Sequence, residues 1–190
     1  MLIFYDTDPA QSNYLPNHNM DPDVITGGSF GQIWQFNTPP PINGLGVEQF
    51  DARCLVYTPS STGVQIVLAF SQQNRLYALD ATNGTLYATR DLSSDGEVPF
   101  LVSDLGNTCS DITGTIGITG TPVVDPDTDT VYFWAKSYTS PAYEGQGYEY
   151  GDYRFHAVDA ATLVEKPGFP VSIQGQTGRY SICHVFYKQS

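Results

Sequence analysis

The chain has 190 residues, of which 20 are acidic and only 8 are basic, so its net charge is −12 at neutral pH. Nucleic acids and anionic lipid surfaces are recognised by clustered lysine and arginine, so this composition excludes both as expected partners. No apolar run approaches the roughly 20 residues of a membrane-spanning helix, and no membrane span is expected. The 18 glycines, 13 prolines and many aromatic residues are typical of a chain built from β-strands and turns.

The first 29 residues are polar, contain two Asp-Pro pairs and predict an irregular lead-in. The opening residues have no basic segment ahead of an apolar stretch, so they do not resemble a signal peptide. Within residues 30–37, Ile33, Gln35 and Asn37 alternate with Trp34 and Phe36, which predicts a strand with two different faces. Three consecutive prolines end this strand because proline cannot donate a hydrogen bond to a sheet.

The first of two strand-rich units follows. It has four predicted strands, at residues 52–58, 64–71, 75–80 and 85–90. The third strand leads into Asp80-Ala-Thr-Asn-Gly84, whose turn residues join two strands as a hairpin. A long loop over residues 91–116 separates this unit from the next.

The second unit repeats the central phrase of the first. Arg75-Leu-Tyr-Ala-Leu-Asp-Ala returns as Arg154-Phe-His-Ala-Val-Asp-Ala, and such self-similarity indicates repeated supersecondary units. Its predicted strands lie within residues 117–125, 130–135, 153–159 and 164–173, the last interrupted by a Pro-Gly pair. An insertion at residues 137–152, rich in tyrosine and glycine, separates the middle two strands.

A meander of four antiparallel strands in roughly 40 residues is typical of a β-propeller blade. The sequence therefore predicts an all-β, partial β-propeller of four-stranded antiparallel blades, with about two full blades and two partial ones. This propeller part spans residues 30–177, with blades at about 51–90 and 117–173, an outer strand at 30–37, and a further blade or an aberrant C-terminus at 178–190. Because propellers close with typically 4–8 blades, the chain is interpreted as a fragment that needs further blades from a full-length chain or from another chain.

Two phrases resemble a known family. Ala78-Leu-Asp-Ala-Thr-Asn-Gly84 resembles the Ala-x-Asp-x-x-Thr-Gly phrase of the pyrroloquinoline-quinone-type propeller repeat, which occurs in quinoprotein alcohol dehydrogenases and in non-enzymatic relatives. Ile116-Gly-Ile-Thr-Gly-Thr-Pro-Val-Val-Asp125 is similar to a phrase of secreted bacterial and fungal propeller proteins. The resemblance covers about residues 25–175. It departs from the family at Asn83, where threonine is usual, and at Ala88, where the docking tryptophan of the repeat would fall.

The resemblance implies an extracellular or cell-surface location and leaves two functions open. Quinone-dependent dehydrogenases of this family use pyrroloquinoline quinone (PQQ) and calcium, with a cofactor-stacking tryptophan and a disulfide between adjacent cysteines. This chain has no adjacent cysteines, and Trp34 and Trp134 fall in predicted strands, where they are interpreted as core. We therefore expect a non-catalytic binding or scaffold module without a cofactor. The alternative is a fragment of a PQQ-dependent dehydrogenase that acts on alcohols or sugars.

Three other features are interpreted as structural. Asp125-Pro-Asp-Thr-Asp129 has the carboxylate spacing of a calcium loop but lacks its glycine and its final glutamate, so it predicts a hairpin turn. Residues 114–120 are glycine-rich but run into a strand rather than a helix, which indicates close backbone packing rather than phosphate binding. His156 takes the place of Tyr77 in the repeat and is expected to be a structural strand residue, and no metal site is predicted.

The insertion is the one feature that exceeds what the fold requires. Its candidate ligand-binding residues stand among glycines and are Tyr138, Tyr143, Tyr148 and Tyr150. A tyrosine ring offers a large apolar area and a hydroxyl at low entropic cost, which suits stacking on sugars or anchoring in a protein interface. The expected partner is therefore a carbohydrate or a protein, and the alternative is that this loop only packs over its own sheet.

Overall fold

The computed structural model describes residues 22–28, 31–42, 44–106 and 111–173. Within these ranges the protein is all-β, as the sequence predicts, with eight strands in two four-stranded antiparallel sheets. The longest helix in this part of the chain is the single turn Pro22–Thr26, and no helix there has the length and hydrophobicity needed to span a lipid bilayer. The predicted further unit at residues 178–190 lies outside the described residues, as does most of the predicted lead-in.

Each sheet is a simple meander in chain order. The first sheet consists of β1 (Leu55–Tyr57), β2 (Ile66–Phe70), β3 (Arg75–Asp80) and β4 (Leu86–Asp91). The second consists of β5 (Val123–Asp125), β6 (Thr130–Tyr138), β7 (Gly151–Asp159) and β8 (Val171–Ile173). Single-turn 3-10 helices lie in the connections, at Leu92–Asp95, Val102–Leu105, Pro141–Tyr143 and Tyr148–Tyr150. Each strand overlaps one of the strands predicted from the sequence.

The repeated phrase builds the same turn in both sheets. In the first, Gly84 donates its N–H to the carbonyl of Asp80 at 2.8 Å and has a left-handed φ of +72°. In the second, Leu163 donates to the carbonyl of Asp159 at the same distance with a φ of +58°. A left-handed conformation costs a leucine roughly 1–2 kcal/mol. Leu163 is fully buried between the sheets, and this burial offsets the cost and explains why the second copy tolerates the loss of glycine.

The two faces of each sheet are named here by the repeated phrase. The front face carries Tyr77 in the first sheet and its equivalent His156 in the second, whereas the back face carries Leu76 and its equivalent Phe155. The main core lies between the back face of the first sheet and the front face of the second. Phe70 and Phe133 meet there edge to face, with ring centroids 4.9 Å apart. The sheets therefore stack head to tail, through faces that are not equivalent.

Residues 31–37 form no strand, so the predicted outer strand at 30–37 is wrong for the described residues of that segment. The segment instead lies over the front face of the first sheet, where Trp34 and Phe36 pack on a small cluster around Tyr77. The Trp34 indole donates to the carbonyl of Ala81 at 2.9 Å, and its ring leaves no room for a side chain at Gly84, where a Cβ would lie 2.5 Å away. Trp34 and Phe36 face the sheet, whereas Ile33, Gln35 and Asn37 face solvent. A hydrogen-bonded strand shows the same alternation of side chains, so the sequence pattern does not distinguish the two.

Candidate functional site

Three segments meet at one end of the two sheets, called here the loop end. They are the turn at residues 71–74, the described parts of the connection between β4 and β5 (residues 92–106 and 111–122), and residues 139–150, the part of the insertion that lies between β6 and β7. The Ile118 N–H donates to the carbonyl of Ser71 at 3.3 Å, and the Thr115 hydroxyl donates to the carbonyl of Gln72 at 2.8 Å. Gly117 is required by this contact, because a Cβ at its position would lie 1.9 Å from the Gln72 carbonyl oxygen. The predicted close backbone packing of residues 114–120 is therefore confirmed at Gly117.

Tyr138 differs from the other candidate tyrosines because it is fully buried. Its hydroxyl donates to the Asp104 carboxylate at 2.7 Å and accepts from the N–H groups of Leu101, at 3.1 Å, and Gly145, at 3.3 Å. Burial and the Asp104 hydrogen bond raise the pKa of Tyr138 to about 12. Asp104 also accepts from the Gly147 N–H at 3.2 Å. Tyr138 therefore anchors the insertion to the Val102–Leu105 turn and does not present its ring to a ligand.

The other three tyrosines of the insertion reach the surface. Tyr143 is exposed and stacks on the half-buried Tyr150, with ring centroids 4.3 Å apart and planes 14° from parallel. Tyr148 is 65% exposed. The loop is closed at its base, where the Thr139 N–H donates to the carbonyl of Tyr150 at 2.8 Å. The structure thus brings Tyr143 and Tyr150 together as one stacked pair beside an exposed Tyr148.

An open cleft of about 540 Å³ lies at the loop end and is lined by residues 44–45, 101–103 and 112–114. The 3-10 helix Val102–Leu105 contacts both this cleft and residues 139–150, called here the tyrosine loop. Asp104 of this helix is hydrogen-bonded to Tyr138 at the start of the loop, and Val102 lines the cleft. Gln72 lies behind the cleft wall, and a Cβ at Gly114 would be 3.8 Å from its amide nitrogen. Among the described residues, neither polar atom of the buried Gln72 amide has a hydrogen-bond partner.

A buried ionic network joins the two sheets, and no local pattern in the sequence predicts it. His156 is fully buried, with Nε2 3.1 Å from a Glu97 oxygen and Nδ1 3.1 Å from a Glu165 oxygen. Arg90 of the first sheet pairs with Glu165 at 2.7 Å, and Arg154 pairs with Glu97 at 3.3 Å. Burial lowers the pKa of His156, but its hydrogen bonds to Glu165 and Glu97 and their charges outweigh burial and raise it above the ordinary value.

Lys136 is the second buried ionisable group near this end. Its ammonium lies 3.9 Å from the ring centroid of Tyr153 and 4.5 Å from that of Phe100. Burial lowers the pKa of Lys136 to about 8, and the charge of Asp152 only partly opposes this effect. The two aromatic rings replace part of the lost hydration of the cation. Lys136 is therefore a packed side chain of the second sheet, enclosed by rings.

The aspartates at 125–129 form the hairpin turn between β5 and β6, as predicted. Asp125 accepts from the Asp127 N–H at 3.1 Å and the Thr128 hydroxyl at 2.8 Å, which is the bonding of an Asx turn. Asp129 faces the first sheet and accepts from the hydroxyls of Tyr57 and Ser60. In the described ranges, no three His, Cys, Asp or Glu side chains gather in a way that could hold a metal ion.

The two tryptophans lie away from the loop end. Trp34 packs on the front face of the first sheet, and Trp134 lies at mid-strand on the back face of the second, where it is 43% exposed. The prediction that Trp134 belongs to the core is wrong, because the described residues place no further sheet over that face. The side chains that the insertion presents to solvent include the rings of Tyr143 and Tyr148 and the carboxylates of Glu144 and Glu149, a combination suited to ring stacking and hydrogen bonding. No family model matches the chain, and no curated protein or solved structure is significantly similar to it.

Proposed function

We propose that the chain is a non-catalytic binding module of a secreted, quinoprotein-like β-propeller, and that its tyrosine loop binds carbohydrate. The observation that carries this proposal is the stacked pair Tyr143 and Tyr150, exposed on a loop whose base is fixed by the buried Tyr138. A ring pair of this kind offers a flat apolar platform for the face of a sugar ring. The hydroxyls at its edge can bond to sugar hydroxyls.

Anchoring of the loop supports a binding role. A loop that must become ordered on binding costs conformational entropy, which reduces affinity. Here the Tyr138 hydroxyl and the Asp104 carboxylate are hydrogen-bonded to each other and accept from the backbone N–H groups of Leu101, Gly145 and Gly147. The backbone of the loop is therefore held in place before any ligand binds. The adjoining cleft offers room for a second sugar unit beside the platform.

The head-to-tail stack supports the propeller part of the proposal. In a β-sandwich, two sheets bury their inner faces against each other and the core is complete. In this protein the equivalent faces point the same way, so that no further sheet among the described residues covers the back face of the second sheet, as a radial repeat of sheets requires. Trp34 also packs its indole on the repeated turn at Ala81 and Gly84 of the first sheet.

A glycan array followed by calorimetric titration tests the carbohydrate proposal. We expect wild type to bind one class of glycan, and the double variant Tyr143→Ala, Tyr148→Ala to lose at least tenfold in affinity, since stacked aromatic contacts contribute about 1 kcal/mol or more each. The matched control is Tyr87→Ala, an exposed tyrosine on β4 away from the loop, which should bind as wild type does. If wild type and the double variant bind the glycan with equal affinity, the tyrosine loop is not the carbohydrate-binding site.

The non-catalytic part of the proposal has its own test. Incubation with PQQ and calcium should give neither saturable quinone binding nor reduction of an electron-acceptor dye by alcohols or sugars. Neither tryptophan lies at the loop end, where a ring would have to stack on a quinone held beside the cleft. Saturable quinone binding together with dye reduction would replace the binding module with the dehydrogenase alternative.

A further inference from the structure

The back face of the second sheet is an apolar surface with a buried counterpart in the same molecule. By strand register, Trp134 and Phe155 of the second sheet are equivalent to Phe70 and Leu76 of the first. Phe70 and Leu76 are buried because the second sheet covers them, whereas Trp134 is 43% exposed and Phe155 is half-buried. Within the described part of the chain, the same positions are therefore covered by a second sheet in one case and by no sheet in the other.

The rings of this back face are already arranged as a packed cluster. The Trp134 and Phe155 centroids are 4.7 Å apart, and Phe155 lies 5.8 Å from Tyr132 and 6.1 Å from Phe169. At the edge strand β8, Val171 and Ile173 are about half exposed. A sheet face on which several aromatic and aliphatic side chains lie together and remain partly exposed is typical of an interaction surface.

A second apolar surface lies at the opposite side of the stack. Ile33, on the segment that covers the front face of the first sheet, is 80% exposed. Val56 on β1 and Leu86 on β4, the two edge strands of this sheet, are on the same front face by strand register and are also exposed. Each copy of the molecule therefore has an apolar surface on both outer sides of its two-sheet stack.

We propose that the protein associates with a second copy of itself, the back face of the second sheet in one copy docking on the Ile33 side of the first sheet in the next. This docking repeats the orientation of the interface inside the molecule, where the back face of the first sheet packs on the front face of the second. Contacts between non-equivalent surfaces are head to tail and produce rings or open chains.

Charge is compatible with this arrangement although the protein carries −12 overall. The central back-face positions on β6 are Tyr132, Trp134 and Lys136, and those paired with them on β7 are Ala157, Phe155 and Tyr153. None of these side chains is a carboxylate. Two copies can therefore approach at this face without bringing like charges into the centre of the contact.

Analytical ultracentrifugation over a wide concentration range tests the proposal on the full chain. Wild type should pass from monomers of 20.8 kDa to dimers and larger species as concentration rises. Trp134→Glu blocks the back face and Ile33→Glu blocks the opposite side, so each variant alone should stay monomeric. An equimolar mixture of the two should form a dimer that grows no further, because one intact surface of each kind remains.

The controls separate a lost interface from a lost fold. Tyr148→Glu places the same charge on an exposed aromatic residue outside both surfaces and should associate as wild type does. If Trp134→Glu loses its β circular dichroism, Ile173→Glu on the edge strand replaces it. A monomeric wild type at all concentrations would overturn the proposal. So would an Ile33→Glu variant that still forms dimers, because the back face would then pair with its own copy.

Discussion

At the scale of single residues, His156 is the group whose charge the structure fixes most firmly. Both of its ring nitrogens lie 3.1 Å from carboxylate oxygens, and an ionised carboxylate can only accept a hydrogen bond. Both nitrogens must therefore donate, which requires the imidazolium form. The ring also lies parallel to Phe133 at 4.7 Å, so its orientation is held by packing as well as by Glu97 and Glu165.

The raised pKa of His156 predicts a loss of stability at alkaline pH. A group whose pKa is higher in the folded state stabilises fully below its unfolded pKa of about 6.5, and this stabilisation disappears as pH rises through the folded pKa. We expect the difference in unfolding free energy between wild type and His156→Gln to be largest near pH 6 and to shrink as the pH rises. Urea unfolding of both proteins at a series of pH values measures it.

Glu165→Gln is the matched control for this prediction. It removes one of the two carboxylates that hold the proton on His156, so the pH at which stability is lost should move down relative to wild type. The titration of Lys136 is common to all three proteins and cancels in the differences. A difference between wild type and His156→Gln that stays constant from acidic to alkaline pH would contradict the assignment of charge to His156.

At the scale of elements, the strands and turns follow from local sequence, whereas the anchoring of the tyrosine loop does not. The repeated Asp-Ala phrase fixes both β3–β4 and β7–β8 turns through its own backbone and carboxylate bonds, so these hairpins could be predicted. Strand β6, however, runs to Tyr138, three residues beyond its predicted end. Its last part pairs with Pro99 and Gly117, which are distant in the chain and carry no local signal.

The same limit explains the other differences from the sequence. Trp134 has the strand context of a core residue, and only the direction of sheet stacking leaves it exposed. His156 could be predicted as a structural residue of β7, but its carboxylate partners come from residues 97 and 165, in two separate connections. The interpretation of Tyr143, Tyr148 and Tyr150 as ligand-binding residues stays a prediction, supported by their exposure.

Tyr138→Phe should loosen the insertion without unfolding the sheets. The substitution keeps the ring that packs on Phe100 but leaves the N–H groups of Leu101 and Gly145 without their acceptor, at a cost of about 1–3 kcal/mol. Hydrogen exchange should speed up at residues 141–150 and remain slow in β6. Tyr143→Phe, which removes a hydroxyl from the exposed stack, is the control. Unchanged exchange in Tyr138→Phe would contradict the anchoring role.

At the scale of the whole molecule, polar contacts join the two sheets on both sides of their apolar core. Near the loop end, Arg90 of the first sheet pairs at 2.7 Å with Glu165, which lies in the connection between β7 and β8 of the second sheet. At the opposite end, Asp129 accepts from the Ser60 N–H at 3.0 Å and from its hydroxyl at 2.6 Å, as well as from the Tyr57 hydroxyl. These polar contacts fix the register of the head-to-tail stack, which the apolar contacts alone do not specify.

Asp129→Asn should therefore destabilise the whole fold. Burial raises the pKa of Asp129, but its hydrogen bonds to Ser60, Tyr57 and Ser61 outweigh burial and lower it to about 2. The stabilisation is thus present above the ordinary value of 3.8 and lost as pH falls toward 2. We expect a loss of about 1–3 kcal/mol at neutral pH, measured by urea unfolding. The control Asp127→Asn removes the same charge from the exposed part of this turn, and an equal loss there would contradict the role of Asp129.

The head-to-tail stack is the claim on which both proposals depend, and nuclear Overhauser contacts between labelled phenylalanines test it most directly. Phe70 lies on the back face of the first sheet, whereas Phe133 and Phe155 lie on opposite faces of the second. With ring centroids 4.9 Å apart, Phe70 and Phe133 should give strong contacts, and Phe70 should give none to Phe155. Strong contacts from Phe70 to Phe155, with none to Phe133, would mean that equivalent faces meet and would contradict the account.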